Sequence, residues 1–135
     1  MKTQATGSFQ VKMTPSALPG SLAPSIARMT IDKQFQGDLE ATSKGEMIAQ
    51  GAGESKDASS VYVAIERVTG TLKGHQGTFV LVHRGTMNAG AFTLDVEVVP
   101  GSGTGQLAGL SGTMKIIIAD NKHCYDFAYT LPSQH

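Results

Sequence analysis

The feature that most constrains this chain is a strict alternation of apolar and polar residues. In residues 92–98, Phe-Thr-Leu-Asp-Val-Glu-Val, the two kinds alternate without a fault, and residues 8–14 and 123–131 follow the same period. A period of two places apolar side chains on one face of a β-strand. No segment carries a helical period over ten residues or more. The sequence therefore predicts an all-β chain.

Further strand-like segments bring the expected number of strands to about eight. These segments are residues 26–37, 39–50, 59–68, 78–87 and 114–118. Short stretches rich in Gly, Asn and Pro separate the strands, as turns do; they are residues 51–53, 88–90, 100–103 and 120–122. The Pro-rich residues 15–24 are expected to form a loop. One domain spanning residues 1–135 fits a single core of ordinary size.

The chain also repeats itself at an offset of 35 residues. Residues 69–79 align without gaps on residues 104–114, with the shared pattern T-G-x-L-x-G-x-x-G-T followed by an apolar residue. We expect each copy to form a long connection with its Leu beneath the loop. A phosphate cradle at residues 101–105 is disfavoured, because neither a Gly-Lys-Ser/Thr motif nor a helix follows. Such a repeated device favours a single closed antiparallel barrel, since closure removes exposed sheet edges.

Composition argues against several classes of function. Eleven basic side chains balance eleven acidic ones, which leaves no basic surface for nucleic acid. The one cysteine, Cys124, allows no intramolecular disulfide and fits a reducing compartment. Apolar runs such as 116–119 are far shorter than the roughly 20 residues of a membrane helix, and no secretion signal follows Lys2. We therefore expect a cytoplasmic protein without membrane partners.

Several longer segments resemble a bacterial family known only as a domain of unknown function. They are residues 37–47, 62–70, 77–83, 99–110 and 123–132. The resemblance covers most of the chain from about residue 26 onward. It implies an allene-oxide-cyclase-like β-barrel, similar also to that of the dirigent proteins. It implies no activity, because a fold alone does not determine a function.

Polar residues on the inward phase of the strands are the candidate functional groups, because an eight-stranded barrel either fills itself or holds one small ligand. His83 is one of them. If Val68 pairs with Phe79, then Tyr62 and Glu66 flank His83 on the same face. A shift of the register by one residue would instead turn Glu66 toward solvent.

The last strand adds Tyr125 and Tyr129 to the inward phase, either as a wall for a flat ligand or as core. His123 shares that phase. Lys33 interrupts an apolar face and is expected to extend its amine to the barrel rim. The four histidines lack the close spacing of zinc ligands, so the sequence predicts neither a metal nor a cofactor.

Three functions remain open from the sequence. The first is binding of a small apolar or aromatic molecule in the barrel, with the candidate contacts Tyr62, Glu66, His83, Tyr125 and Tyr129. The second is a non-oxidative isomerase or cyclase in which Glu66 or His83 moves a proton. The third is a structural or assembly protein with a filled barrel, whose outward residues Val80, Val82 and Ile117 are buried between subunits of a homo-oligomer.

Overall fold

Eight antiparallel strands pair in chain order and close into a barrel through the pairing of the first strand with the last. The computed structural model describes residues 3–16, 26–51, 60–88 and 91–132. The strands are β1 (Thr3–Ser16), β2 (Ile26–Gly37), β3 (Leu39–Gly51), β4 (Ser60–Leu72), β5 (His75–Asn88), β6 (Ala91–Val98), β7 (Ser111–Ala119) and β8 (Lys122–Thr130). The predicted all-β class and the antiparallel barrel of about eight strands are confirmed. No helix within these residues is long and apolar enough to cross a membrane.

The predicted loop at 15–24 begins later than its Pro content suggested. Pro15 and Ser16 still belong to β1, where they lie opposite Met29 and Arg28 of β2. Proline is tolerated near a strand end, where its missing N–H interrupts little of the ladder. Residues 17–24 of that loop lie outside the described residues, as do 52–53 and 89–90 of two predicted turns.

The two copies of the sequence repeat form different structures, which corrects the prediction of two long connections. In the first copy β4 and β5 continue to a two-residue turn at Lys73 and Gly74. Both residues have positive φ, 45° and 85°, as a tight hairpin of type I′ requires. The predicted turn at 120–122 has the same character, because Asp120 and Asn121 also have positive φ.

The second copy is the predicted long connection. It runs from β6 to β7 through a 3₁₀ turn, Gly105–Leu107, and lies against the start of β5. The Thr104 N–H donates to the Thr78 carbonyl oxygen at 2.8 Å. The first copy therefore supplies the strand on which the second copy rests. The Leu of each copy is buried as expected, Leu72 in the hairpin and Leu107 in the connection.

The core fills the end of the barrel where this connection crosses. The Phe79 and Phe127 rings stack there with their centroids 6.0 Å apart. The Tyr125 hydroxyl joins β2, β3 and β8, because it accepts from the Leu39 N–H at 2.9 Å and donates to the Gln36 carbonyl at 2.9 Å. This end of the barrel is closed by its own side chains.

Replacing Tyr125 with Phe should lower the free energy of unfolding by roughly 1–3 kcal/mol, because the buried Leu39 N–H loses its acceptor. Urea denaturation measures the change. Tyr129→Phe is the matched control, since the Tyr129 hydroxyl makes no hydrogen bond to the described residues although its ring is buried. Equal losses in the two variants would contradict a bonding role for the Tyr125 hydroxyl.

Candidate functional site

The pairing of β4 with β5 decides which way the central polar residues point. Val68 lies opposite Phe79 and Ala64 lies opposite His83, so the register on which the predicted cluster depended is confirmed. Glu66 consequently points into the barrel, where its side chain has no exposed area. The alternative, a solvated Glu66, is wrong.

Glu66 is the centre of a buried polar cluster contributed by four adjacent strands. Its Oε1 lies 3.0 Å from Lys33 Nζ on β2 and 2.7 Å from His83 Nε2 on β5. Its Oε2 accepts a hydrogen bond of 2.7 Å from Ser43 Oγ on β3. Lys33, Ser43 and His83 are themselves buried. We refer to Lys33, Ser43, Glu66 and His83 as the Glu66 cluster.

Two members of the Glu66 cluster differ from the sequence interpretation. Lys33 does not reach the barrel rim; it is 8% exposed, and its ammonium lies 4.9 Å from the centre of the Phe9 ring. The Lys33 ammonium instead forms an ion pair with the Glu66 carboxylate, and this ion pair replaces the hydration that the ammonium would have at the rim. Ser43 was not predicted at all. The signal was present, because Ser43 follows Leu39 and Ala41 on the inward phase of β3.

Glu66 is ionised in spite of its burial. Burial alone would raise its pKa, but the hydrogen bond from His83, the charges of Lys33 and of a protonated His83, and the hydrogen bond from Ser43 outweigh this and lower the pKa to about 2. An ionised carboxylate only accepts hydrogen bonds, so His83 Nε2 must donate. In the neutral ring Nδ1 then carries the lone pair.

His83 lines a cavity, and its Nδ1 makes no hydrogen bond within the described residues. Within the described part of the chain, Asp126 Oδ1 is the only fully buried side-chain polar atom that lacks a hydrogen-bond partner. His83 Nδ1 has no partner among those residues either, so it cannot be sealed in the core. His83 lines a cavity in the barrel, and this cavity is the route by which a ligand would approach its ring.

That cavity, of about 190 Å³, occupies the end of the barrel opposite the closed end. Lys33, His83 and Tyr62 contribute its polar groups, together with His123. The remaining lining is apolar and comes from Phe9, Val11, Met13, Ile31, Met47, Ala64, Phe92, Leu94, Ile116 and Ile118. Met13, Phe92 and Ile118 form its rim, being 48%, 57% and 68% exposed. The cavity therefore reaches the surface of the barrel.

Tyr62 is held over the cavity by a glycine on the neighbouring strand. Gly85 lies directly opposite Tyr62, and a Cβ atom built at position 85 would overlap the Tyr62 ring. Burial, followed by the negative charge of Glu66, raises the pKa of Tyr62. Its phenol thus stays protonated near neutral pH and can donate a hydrogen bond.

The five residues predicted as ligand contacts occupy three different places. Tyr62 and His83 line the cavity, and Glu66 lies directly behind His83. Tyr125 and Tyr129 are not among the lining residues; Tyr125 is bonded to the backbone of β2 and β3, and Tyr129 packs on Phe127 at 5.3 Å.

The outward apolar residues do not form the single patch that the sequence suggested. Val80 and Val82 on β5 are separated from Ile117 on β7 by the polar outer face of β6, which carries Asp95 and Glu97. A continuous patch is formed instead by β3, β4 and β5 with Ile48, Val63, Ile65 and Val82. A homo-oligomer stays a prediction. Within the described residues, no three His, Cys, Asp or Glu side chains meet as metal ligands.

These features define a closed eight-stranded antiparallel barrel with a buried ionic cluster beneath an apolar cavity. The chain belongs to the family described as protein of unknown function (DUF3224), whose model matches residues 5–129. The predicted membership of an unknown-function family is thereby confirmed, whereas the likeness to allene oxide cyclase stays a prediction.

The barrel is similar to the crystal structure of a protein with unknown function from the same family in Shewanella oneidensis MR-1. The two chains are 43% identical, and the comparison covers 99% of this chain and 100% of that one with a TM-score of 0.90. No curated protein matches this chain.

Glu66→Gln should lower the free energy of unfolding by about 3–5 kcal/mol, because it leaves the buried Lys33 ammonium without its counter-charge. Urea denaturation at neutral pH measures the loss. Glu46→Gln, which breaks the exposed ion pair with Arg28, is the matched control and should cost less than about 1 kcal/mol. The double variant Lys33→Met/Glu66→Gln should recover much of the stability, since it removes both charges.

Glu66→Gln should also change how the free energy of unfolding depends on pH. The folded pKa of Glu66 is about 2 and its ordinary value is 4.5, so the folded state favours the carboxylate. Its contribution is present above pH 4.5 and is lost as the pH falls from 4.5 through 2, a loss of roughly 3 kcal/mol. Glu66→Gln should lack this part of the acid dependence. An unchanged acid limb in that variant would contradict the ionised state of Glu66.

Proposed function

We propose that this protein binds a small neutral molecule with an apolar, preferably aromatic, body and one carbonyl oxygen. The observation that carries the proposal is the apolar cavity of about 190 Å³ with the Glu66 cluster at its base. Ligand sites commonly combine an apolar lining with a few polar groups that fix orientation. The proposed contacts are Tyr62, Lys33 and His83 for the oxygen and the neighbouring carbon, with Phe9 and Leu94 along the body.

The size of the cavity limits the ligand to about one ring with a short substituent. An apolar cavity of about 150 Å³ takes up benzene in another protein, and the present one is slightly larger. Its rim residues Met13, Phe92 and Ile118 leave room for a substituent to extend toward the surface. A fused multi-ring molecule does not fit inside these walls without movement of the strands.

The charges of the Glu66 cluster favour a neutral ligand. The Glu66 carboxylate and the Lys33 ammonium cancel, so a charged ligand would bring an uncompensated charge into an apolar cavity. Lys33 uses one of its three N–H groups on Glu66, and the Tyr62 hydroxyl makes no hydrogen bond within the described residues. Both groups can therefore donate to a carbonyl oxygen.

The single cysteine, Cys124, is partly buried and fits the reducing cytoplasm that the sequence predicts. We also propose that the protein is cytoplasmic; the proposed binding of a ligand does not depend on this location. Tyr125 and Tyr129 stay predicted contacts only for a ligand that reaches the closed half of the barrel.

Acetophenone is a suitable probe, and its binding should shift the methyl NMR signals of the cavity residues Ile31, Met47 and Ile116. Ethylbenzene, without the oxygen, and benzoate, with a charge, should each bind more weakly. Lys33→Met/Glu66→Gln should weaken acetophenone binding about tenfold or more, because a hydrogen bond to a charged donor is lost.

Leu94→Trp fills the cavity from β6 and should abolish binding of acetophenone. Thr93→Trp places the same ring on the neighbouring outward position, where the residue is exposed, and should leave binding unchanged. Equal binding by these two variants, or shifts confined to outward methyl groups such as Ile65, would contradict binding in the cavity.

A further inference from the structure

We propose that His83, held by Glu66, removes a proton from the carbon next to the carbonyl group of the bound ligand, so that the protein catalyses enolisation of small neutral ketones. This inference rests on the proposed binding function and adds a reaction to it. Two contacts carry it: the bond of 2.7 Å between His83 Nε2 and Glu66 Oε1, and the contact of 3.0 Å between the Lys33 ammonium and the same oxygen.

His83 is the base because it lines the cavity and its Nδ1 has no hydrogen-bond partner within the described residues, whereas Lys33, the other cluster member that lines the cavity, carries only donors. Glu66 itself is fully buried, and its two oxygens already accept from Lys33, His83 and Ser43. Its carboxylate fixes the proton on Nε2 and so leaves the Nδ1 lone pair for the substrate. Glu66 is accordingly a positioning residue.

In the proposed step the Nδ1 lone pair of His83 forms a bond to the hydrogen on the substrate carbon. The electrons of the broken C–H bond form a carbon–carbon double bond, and the π electrons of the carbonyl group move onto its oxygen. The Lys33 ammonium and the Tyr62 hydroxyl donate hydrogen bonds to that oxygen. When the hydrogen taken up by Nδ1 is replaced by one from water before it is returned, return to the same carbon gives exchange. In an unsaturated ketone, return to a conjugated position gives an isomer, and neither outcome requires an oxidant or reductant.

The step creates no net charge in the cavity. The step starts from the neutral form of His83 and a neutral ketone, and before it the Glu66 carboxylate and the Lys33 ammonium cancel. After it, His83 is a cation beside the Glu66 carboxylate, and the enolate is an anion beside Lys33. Two adjacent ion pairs therefore replace one. Charges that are already in position before the reaction, here those of Glu66 and Lys33, stabilise the charge that develops during it.

The other reactive side chains do not offer this chemistry. Cys124 lies on the outward phase of β8, opposite Ile117 of β7 and away from the cavity. His123 lines the cavity, where its ring lies 5.3 Å from that of Phe9, but no hydrogen bond from the described residues orients it. His83 alone combines access to the cavity with a carboxylate partner among those residues.

The test follows loss of deuterium from acetophenone labelled in its methyl group, dissolved in ordinary water with the protein, by proton NMR. The wild-type protein should accelerate exchange over buffer alone. His83→Gln keeps an amide that can still donate to Glu66 but has no basic nitrogen, and it should slow the protein-dependent exchange about 100-fold or more. His75→Gln, at the exposed start of β5, is the matched control and should exchange like the wild type.

The outcomes separate the reaction from the binding. If acetophenone binds, as its methyl shifts report, but exchange does not depend on His83, the proposed reaction is overturned and the binding function stands. If acetophenone does not bind, both fail. Should His83→Gln prove unfolded, Leu94→Trp supplies the second test. This variant keeps all four residues of the Glu66 cluster but fills the cavity, so the protein-dependent exchange should be lost.

Discussion

The ionised carboxylate of Glu66 is the interaction on which the rest of this structure depends. It is fully buried, and three donors from three other strands converge on its two oxygens. A buried charge is tolerated only when partners replace its hydration, so β2, β3, β4 and β5 must stay in one register to keep it. The same requirement fixes the orientation of the His83 ring. The Glu66 carboxylate thus contributes both to the stability of the barrel and to the proposed reaction.

The barrel is divided into two halves of different character. Tyr125, Phe79 and Leu107 fill one half with hydrogen-bonded and apolar side chains. In the other half the side chains leave a cavity of about 190 Å³, and the Glu66 cluster marks the boundary between the halves. Because the closed half supplies most of the apolar burial, the open half can carry polar groups and an unfilled volume. This division is why a small barrel can be stable and still offer a site.

Much of the fold could be predicted from the sequence because an alternating strand reports its own faces. The patterns of residues 92–98 and 26–37 predicted the strands that the structure has there. Pairing Val68 with Phe79 then placed Glu66 and His83 together on the inward face. What failed were features set by partners distant in the chain. Lys33 looks like a rim residue until Glu66 is placed beside it. The repeat likewise gives no sign that one copy forms a tight hairpin and the other a connection resting on it, because that difference depends on which strands each copy joins.

The measurement that tests this account most directly is nitrogen NMR of the protein labelled with ¹⁵N-histidine, recorded in alkaline buffer where the imidazole is neutral. The account predicts that His83 carries its proton on Nε2, which Glu66 accepts, and that the unprotonated Nδ1 shifts when acetophenone is added. A His83 with its proton on Nδ1 would contradict the account, since Nε2 could not then donate to an ionised Glu66.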